Sequence, residues 1–162
     1  MVAIEGILKV RVIQGTDLVV RDVYSSDPYV KLRIGDHKVK TRVIPNNLNP
    51  RWNEELTLAT SNPPQPLRIF VYDKDIFSAD DKMGEAQIDL NALISTVKGS
   101  DSYNCQEGVT IRRVPATWEN GFTKDSAIKV RKGQIVQKIC IWLKNVERGE
   151  IKLDLVWQPY SQ

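Results

Sequence analysis

Histidine and cysteine are scarce in this 162-residue chain, which has one of the first and two of the second. The lone imidazole, His37, falls in a turn between basic runs, so Ser-His-Asp and Cys-His schemes have no placed partners. The phosphate-cradling pattern GxxxxGK[ST] is absent, which excludes a nucleotide hydrolase of that type. No run of about 18 apolar residues occurs, so no segment can span a bilayer as a helix. The opening Met-Val-Ala-Ile-Glu-Gly carries an acid where a signal peptide would be basic and then apolar. Cys140 sits in the apolar run "IVQKICIWL" and Cys105 in a polar stretch, a usage that fits a reducing compartment without a disulfide. The expectation is a cytoplasmic or nuclear protein, and a binding module rather than an enzyme.

What the chain does have is short β-branched runs between turn residues. "ILKVRVIQG", "PYVKLRIGD", "HKVKTRVIP", "EELTLATS", "EAQIDL", "VQKICIWL" and "GEIKLDLVW" mostly alternate apolar with polar, the period of half-buried antiparallel strands. "LRIFVYD" is mostly apolar, as a central strand would be. Joints such as "PNNLNP" and "NPPQP" separate the runs at spacings typical of a sandwich. "LNALIST" (90–96) predicts a short helical turn. The fold class is all-β, an eight-stranded antiparallel β-sandwich in one domain over 1–162. From about 98 to 134 the spacing stretches, and weaker runs, "GVTIRRV" and "SAIKVRK", stand between loops. This reads as a functional insertion before the last strands, with short strands of its own.

Acidic residues crowd two places. "FVYDKDIFSADDKMGE" holds Asp73, Asp75, Asp80 and Asp81 within nine positions, with Ile76 and Phe77 among them. "VVRDVYSSDPYV" places Asp22 and Asp27 around another loop. In a sandwich the loops collect at two ends, and two acidic loops at one end would crowd charge to a degree that only a shared cation explains. All-oxygen, carboxylate-rich, loop-borne ligation describes calcium, with magnesium second because it keeps more waters. An EF-hand is excluded, since its fifth and sixth positions would be Phe77 and Ser78.

The net charge is +3, and setting five aspartates aside leaves +8 on the rest of the chain. "PYVKLRIGDHKVKTRV" locates much of that excess. If Gly35-Asp36 is a two-residue turn, Arg33 faces Lys38 and Lys31 faces Lys40, with Arg42 following on the same alternation. Like charges directly opposite are destabilising. Tolerating them twice in one hairpin points to an anionic ligand, and with only Tyr29 nearby for stacking, nucleic acid is disfavoured.

The segments "VRDVYSSDPYVKL", "NPRWNEELTL" and "VYDKDIFSADDKMGE" resemble the signature segments of a C2 domain, and "ICIWLKNVERGEIKLDLVW" resembles its closing strands. The start at "LKVRV" resembles the phospholipase-type arrangement. The small size and the insertion are similar to the plant C2-domain abscisic-acid-related family and to small plant C2-domain GTPase-activating proteins. The resemblance implies Asp22, Asp27, Asp73, Asp75 and Asp81 as calcium ligands, with Asp80 a spare. It implies Val23, Tyr24, Ile76 and Phe77 as membrane-inserting tips. Lys31, Arg33, Lys38, Lys40 and Arg42 become a face for phosphatidylserine or phosphoinositides. The implied function is calcium-dependent binding to anionic phospholipid, as an adaptor bringing a partner, the abscisic acid receptor, to the plasma membrane. The alternative is activation of an unconventional P-loop GTPase, for which Arg51, Arg112, Arg113 and Arg131 are the candidate finger arginines. "TWENGFTKDSAIKV" departs from the cysteine-containing acidic stretch of that family. Trp118 and Phe122 in it are natural anchors if exposed.

Overall fold

The computed structural model describes residues 3–21, 25–100 and 106–160. Among these described residues, ten strands and one helix follow in chain order: β1 (Ile4–Thr16), β2 (Pro28–Ile34), β3 (His37–Lys40), β4 (Arg51–Ser61), β5 (Leu67–Asp73), β6 (Asp81–Ile88), α1 (Asn91–Gly99), β7 (Thr110–Val114), β8 (Ser126–Arg131), β9 (Gln134–Trp142) and β10 (Glu150–Pro159). They form two antiparallel sheets, β4-β1-β10-β9-β8-β7 and β3-β2-β5-β6. Without β7 and β8 each sheet has four strands, the eight-stranded sandwich expected. Those two strands lie within 98–134 and extend one sheet past β9.

Alternation decides which faces meet. Leu8, Val10 and Val12 of β1 are fully buried, and so are Leu153 and Leu155 on the paired β10. From the other sheet come Val30 and Leu32 of β2 and Ile69 of β5, equally buried. The mostly apolar "LRIFVYD" is indeed central, between β2 and β6. Its inward residues close the core, while Arg68, Phe70 and Tyr72 point to the outer face of the sheet. The predicted helical turn is a nine-residue helix that buries Leu93, Ile94 and Thr96. Among the described residues no helix is long and apolar enough to cross a membrane.

Strand register locates the loops. Thr16, Glu150 and Trp142 stand in one row across β1, β10 and β9. Pro28, Asp73 and Asp81 stand in one row across β2, β5 and β6. The segment joining β1 to β2 links the two rows, and Arg21 in it ties three places together. Its Nε donates to the Lys82 carbonyl at 3.0 Å, and its guanidinium pairs with Glu147 at 3.3 Å. The Arg21 bond holds the Glu147 carboxyl below its usual range. The loops after β1, β5 and β9 therefore share one end, and the Gly35-Asp36 turn lies at the other.

Trp157 of β10 packs across β1 at Gly6. A Cβ on Gly6 would lie 2.4–2.5 Å from three indole atoms, while the indole Nε1 donates to Thr60 Oγ1 at 2.9 Å and cannot easily shift. Gly6→Ala is expected to lose about 1–3 kcal/mol by overpacking. Urea unfolding checks it: the midpoint should fall with an unchanged slope.

Candidate functional site

Three chain segments meet at the acidic end. Asp27 immediately precedes β2, Asp73 closes β5 and Asp81 opens β6. Asp73 is 1% exposed, and its Oδ1 accepts the Asp27 amide at 2.8 Å. The Asp27 carbonyl accepts the Lys74 amide at 3.0 Å, and Asp27 Oδ1 accepts the Asn46 amide at 2.8 Å. Backbone N–H dipoles from neighbouring loops are thus turned onto the carboxylates and offset part of their mutual repulsion.

The loop between β5 and β6 is shaped by two carboxylates. Asp75 Oδ1 accepts the Phe77 amide at 3.0 Å and Oδ2 accepts the Ser78 hydroxyl at 2.8 Å, a turn of the kind aspartate forms with the residue two positions on. The Phe77 amide, then the Ser78 hydroxyl, hold the Asp75 carboxyl below the usual carboxylate range. The turn leaves Ile76 86% and Phe77 96% exposed. Asp80, a spare in the sequence reading, organises the base of this loop. It accepts the Asp75 amide at 2.9 Å and the Tyr29 hydroxyl, and lies 3.8 Å from Lys74 Nζ. The Tyr29 hydroxyl is the main cause that holds Asp80 low, and burial, then this same bond, pushes the Tyr29 phenol up.

Of the expected site residues, Asp22, Val23 and Tyr24 lie outside the described residues. Asp27, Asp73, Asp75 and Asp81 are brought to one end, and all four offer carboxylate oxygens, which suits a hard divalent cation. Among the described residues, no three acidic, histidine or cysteine side chains gather closely enough to hold a metal by themselves.

The basic hairpin has the expected register: Arg33 opposite Lys38 and Lys31 opposite Lys40. Gly35 takes φ +57°, a left-handed conformation that suits glycine at this turn. Arg42 lies two residues past the end of β3. β3 ends at Lys40, and buried Thr41 keeps the alternation beyond it, its amide donating to the Val30 carbonyl and its Oγ1 accepting the Val30 amide, both at 2.9 Å. Beyond it the Arg42 amide donates to Glu54 Oε2 at 2.9 Å and its guanidinium lies 3.8 Å from the same carboxylate. Its charge is answered within the protein.

The sequence reading missed the residues that β5 adds to this face. Tyr72 stands opposite Tyr29, and the rings stack with centroids 5.7 Å apart. Lys31 Nζ lies 5.2 Å from the Tyr72 centroid, Phe70 is opposite Lys31, and Arg68 is opposite Arg33. Aromatics are therefore interleaved with the basic residues after all. The signal was the "RIFVY" alternation, legible only once β5 is known to pair with β2. In the stretch 98–134 the two candidate anchors divide: Trp118 is 94% exposed and Phe122 is buried.

Residues 6–105 match the family model of the C2 domain, so the chain belongs to the C2 domain family. It is 44% identical to the protein C2-DOMAIN ABA-RELATED 2 of Arabidopsis thaliana over 157 residues, covering 96% of this chain and 90% of that one. It is 43% identical to GTPase activating protein 1 of Oryza sativa subsp. japonica over 152 residues, 94% of this chain and 91% of that one. Among solved structures, it resembles the calcium-bound pair of C2 domains from Extended-Synaptotagmin 2 with a TM-score of 0.64 and 26% identity. That likeness covers 97% of this chain and 47% of the two-domain chain. Within the C2 family the protein groups with the C2-domain ABA-related proteins.

Because Asp80 is held low in the folded chain, its contribution to stability is complete above about pH 4, the unfolded value. It is lost as pH falls through the lower folded value. Tyr29→Phe removes the main cause and should move Asp80 up toward the ordinary carboxylate range, read by NMR titration of the side-chain carboxyl carbon. An unmoved Asp80 titration would show that the hydroxyl does not hold it.

Proposed function

We propose that this chain is a calcium-triggered module that docks on anionic phospholipid and carries a signalling partner to the plasma membrane from the cytoplasm, with the nucleus as a second location. The observation that carries the reading is the pairing of exposed Ile76 and Phe77 with aspartates on both sides of them at one end of the sandwich. The donor set there, Asp27, Asp73, Asp75 and Asp81 with Asp22 by resemblance, is the one that would hold calcium. Calcium bound there would supply the positive charge that turns an end repelling anionic lipid into one attracting it.

The chain's own residues do the rest. Asp75 holds the turn that presents Phe77, and burying that ring in the headgroup layer is worth about 2 kcal/mol. Lys31, Arg33, Lys38 and Lys40 supply the cationic face, each worth roughly 1 kcal/mol near an anionic surface. Tyr72, backed by the buried Tyr29 ring, gives it an aromatic edge for phosphatidylserine or phosphoinositide headgroups. The name of the Arabidopsis relative supports a partner in abscisic acid signalling, and the resemblance implies that this partner is the receptor.

The name of the rice relative supports the alternative, stimulation of a GTPase, which the resemblance implies to be an unconventional P-loop GTPase. Of the four candidate arginines, Arg131 lies 3.9 Å from Glu107 and Arg112 donates to Ser95 Oγ at 3.2 Å. Arg113 on β7 and Arg51 on β4 are exposed, which suits a finger reaching into a partner.

Co-sedimentation with phosphatidylserine-containing vesicles, in calcium or in chelator, tests the docking. Asp75→Ala with Asp81→Ala is expected to abolish the calcium-dependent fraction while the circular dichroism melt stays cooperative. A folded double variant that still sediments only with calcium would overturn the ligand assignment. Replacing Lys31, Lys38 and Lys40 together with alanine should weaken vesicle binding by about ten- to a hundred-fold and flatten its salt dependence. If neither changes, the hairpin is ordinary solvated surface.

A further inference from the structure

An indole that is 94% exposed is unusual for a residue type normally well buried. Trp118 lies in the connection between β7 and β8, and that connection is tightly hydrogen-bonded. Asn120 Oδ1 accepts the Thr117 and Phe122 amides at 3.0 and 2.9 Å, and Asn120 Nδ2 donates to the Pro115 carbonyl at 2.9 Å. The Asn120 amide donates to Thr117 Oγ1 at 3.1 Å, and Asp125 Oδ1 accepts the Ala116 amide at 2.9 Å. Phe122 is buried and bridges to Ile141, rooting the turn in the core. A turn held at so many points fixes the backbone from which the tryptophan at its outer side is presented.

Register shows where it points the chemistry. The Trp142 amide donates to the Gly121 carbonyl at 2.8 Å, and Lys144 Nζ lies 3.4 Å from the Glu119 carbonyl. Trp142 is in the row of Thr16 and Glu150, so the turn belongs to the end of the sandwich that carries Asp73, Asp81 and Phe77. Trp142 is itself 54% exposed, and Lys124 and Lys144 are exposed on either side of the turn. An indole ring, apolar over most of its surface with one N–H donor, suits the headgroup layer of a membrane.

We propose that Trp118 is a lipid-interface anchor that the stretch 98–134 adds to this end, engaging the same anionic membrane as Phe77. It rests on the membrane-docking reading above and extends the contact from the loop between β5 and β6 to a second sheet. The other two tryptophans, Trp52 and Trp157, are 0% and 2% exposed, so a Trp142→Phe chain has Trp118 as its one exposed indole.

In that chain, vesicles of phosphatidylserine with brominated phosphatidylcholine should blue-shift and quench the exposed-indole emission when calcium is added. Trp118→Ala in the otherwise native protein should weaken vesicle binding by about tenfold. Vesicles that sediment the protein without quenching Trp118, and with unchanged affinity in Trp118→Ala, would overturn the proposal while leaving membrane docking intact, and would assign the turn to a protein partner. Failure of the native protein to bind these vesicles in calcium would overturn the docking reading and this proposal together.

Discussion

Carboxylates crowded at one end of an antiparallel sheet repel one another, and the structure depends on how that repulsion is answered. Here the answer is mostly backbone. Asp73 is buried with the Asp27 amide turned onto it, Asp27 takes the Asn46 amide, and Asp75 takes the amide of Phe77. Each bond spends a carboxylate lone pair on fixing a loop, so the acidic end is ordered by the charges it gathers. The same Asp75 bonds that relieve the charge also leave Ile76 and Phe77 uncovered. Charge crowding and apolar exposure in this loop are therefore consequences of one local geometry.

Asp80 and Tyr29 connect that end to the outer face of the four-stranded sheet. The phenol hydroxyl bonds Asp80 at the base of the loop, its ring stacks on Tyr72, and Tyr72 lies under the Lys31 ammonium. A chain of contacts thus runs from the acidic loop to the basic hairpin without leaving two adjacent strands. On the proposed reading, the loop that meets lipid and the face that meets headgroups share one rigid support.

The second sheet contributes differently. β7 and β8 are added at its edge, and their connection folds back on β9 through Gly121 and Phe122. Burial of Phe122 and exposure of Trp118 are two results of the same turn: one aromatic supplies the root and the other is left outside.

Much of this was legible in residue order. Period-two alternation gave the strands and their buried faces, since a strand presents alternate residues to opposite sides whatever its neighbours. The Gly35-Asp36 turn gave the hairpin register, because a two-residue loop allows little choice. The placing of Asp27, Asp73, Asp75 and Asp81 at strand ends and in the loops beside them followed from where the alternation stops. Tertiary structure alone decided what stands beside what. Arg42 is engaged by Glu54 because β4 lies within reach of it, Tyr72 and Phe70 join the basic face because β5 lies against β2, and Asp80 becomes an organiser because Tyr29 is within reach. Whether Trp118 or Phe122 would be exposed depended on which ring found room beside Ile141. Local pattern determines which way a side chain faces along its own strand, whereas its partner is set by strand pairing between residues distant in sequence, which one-dimensional periodicity does not encode.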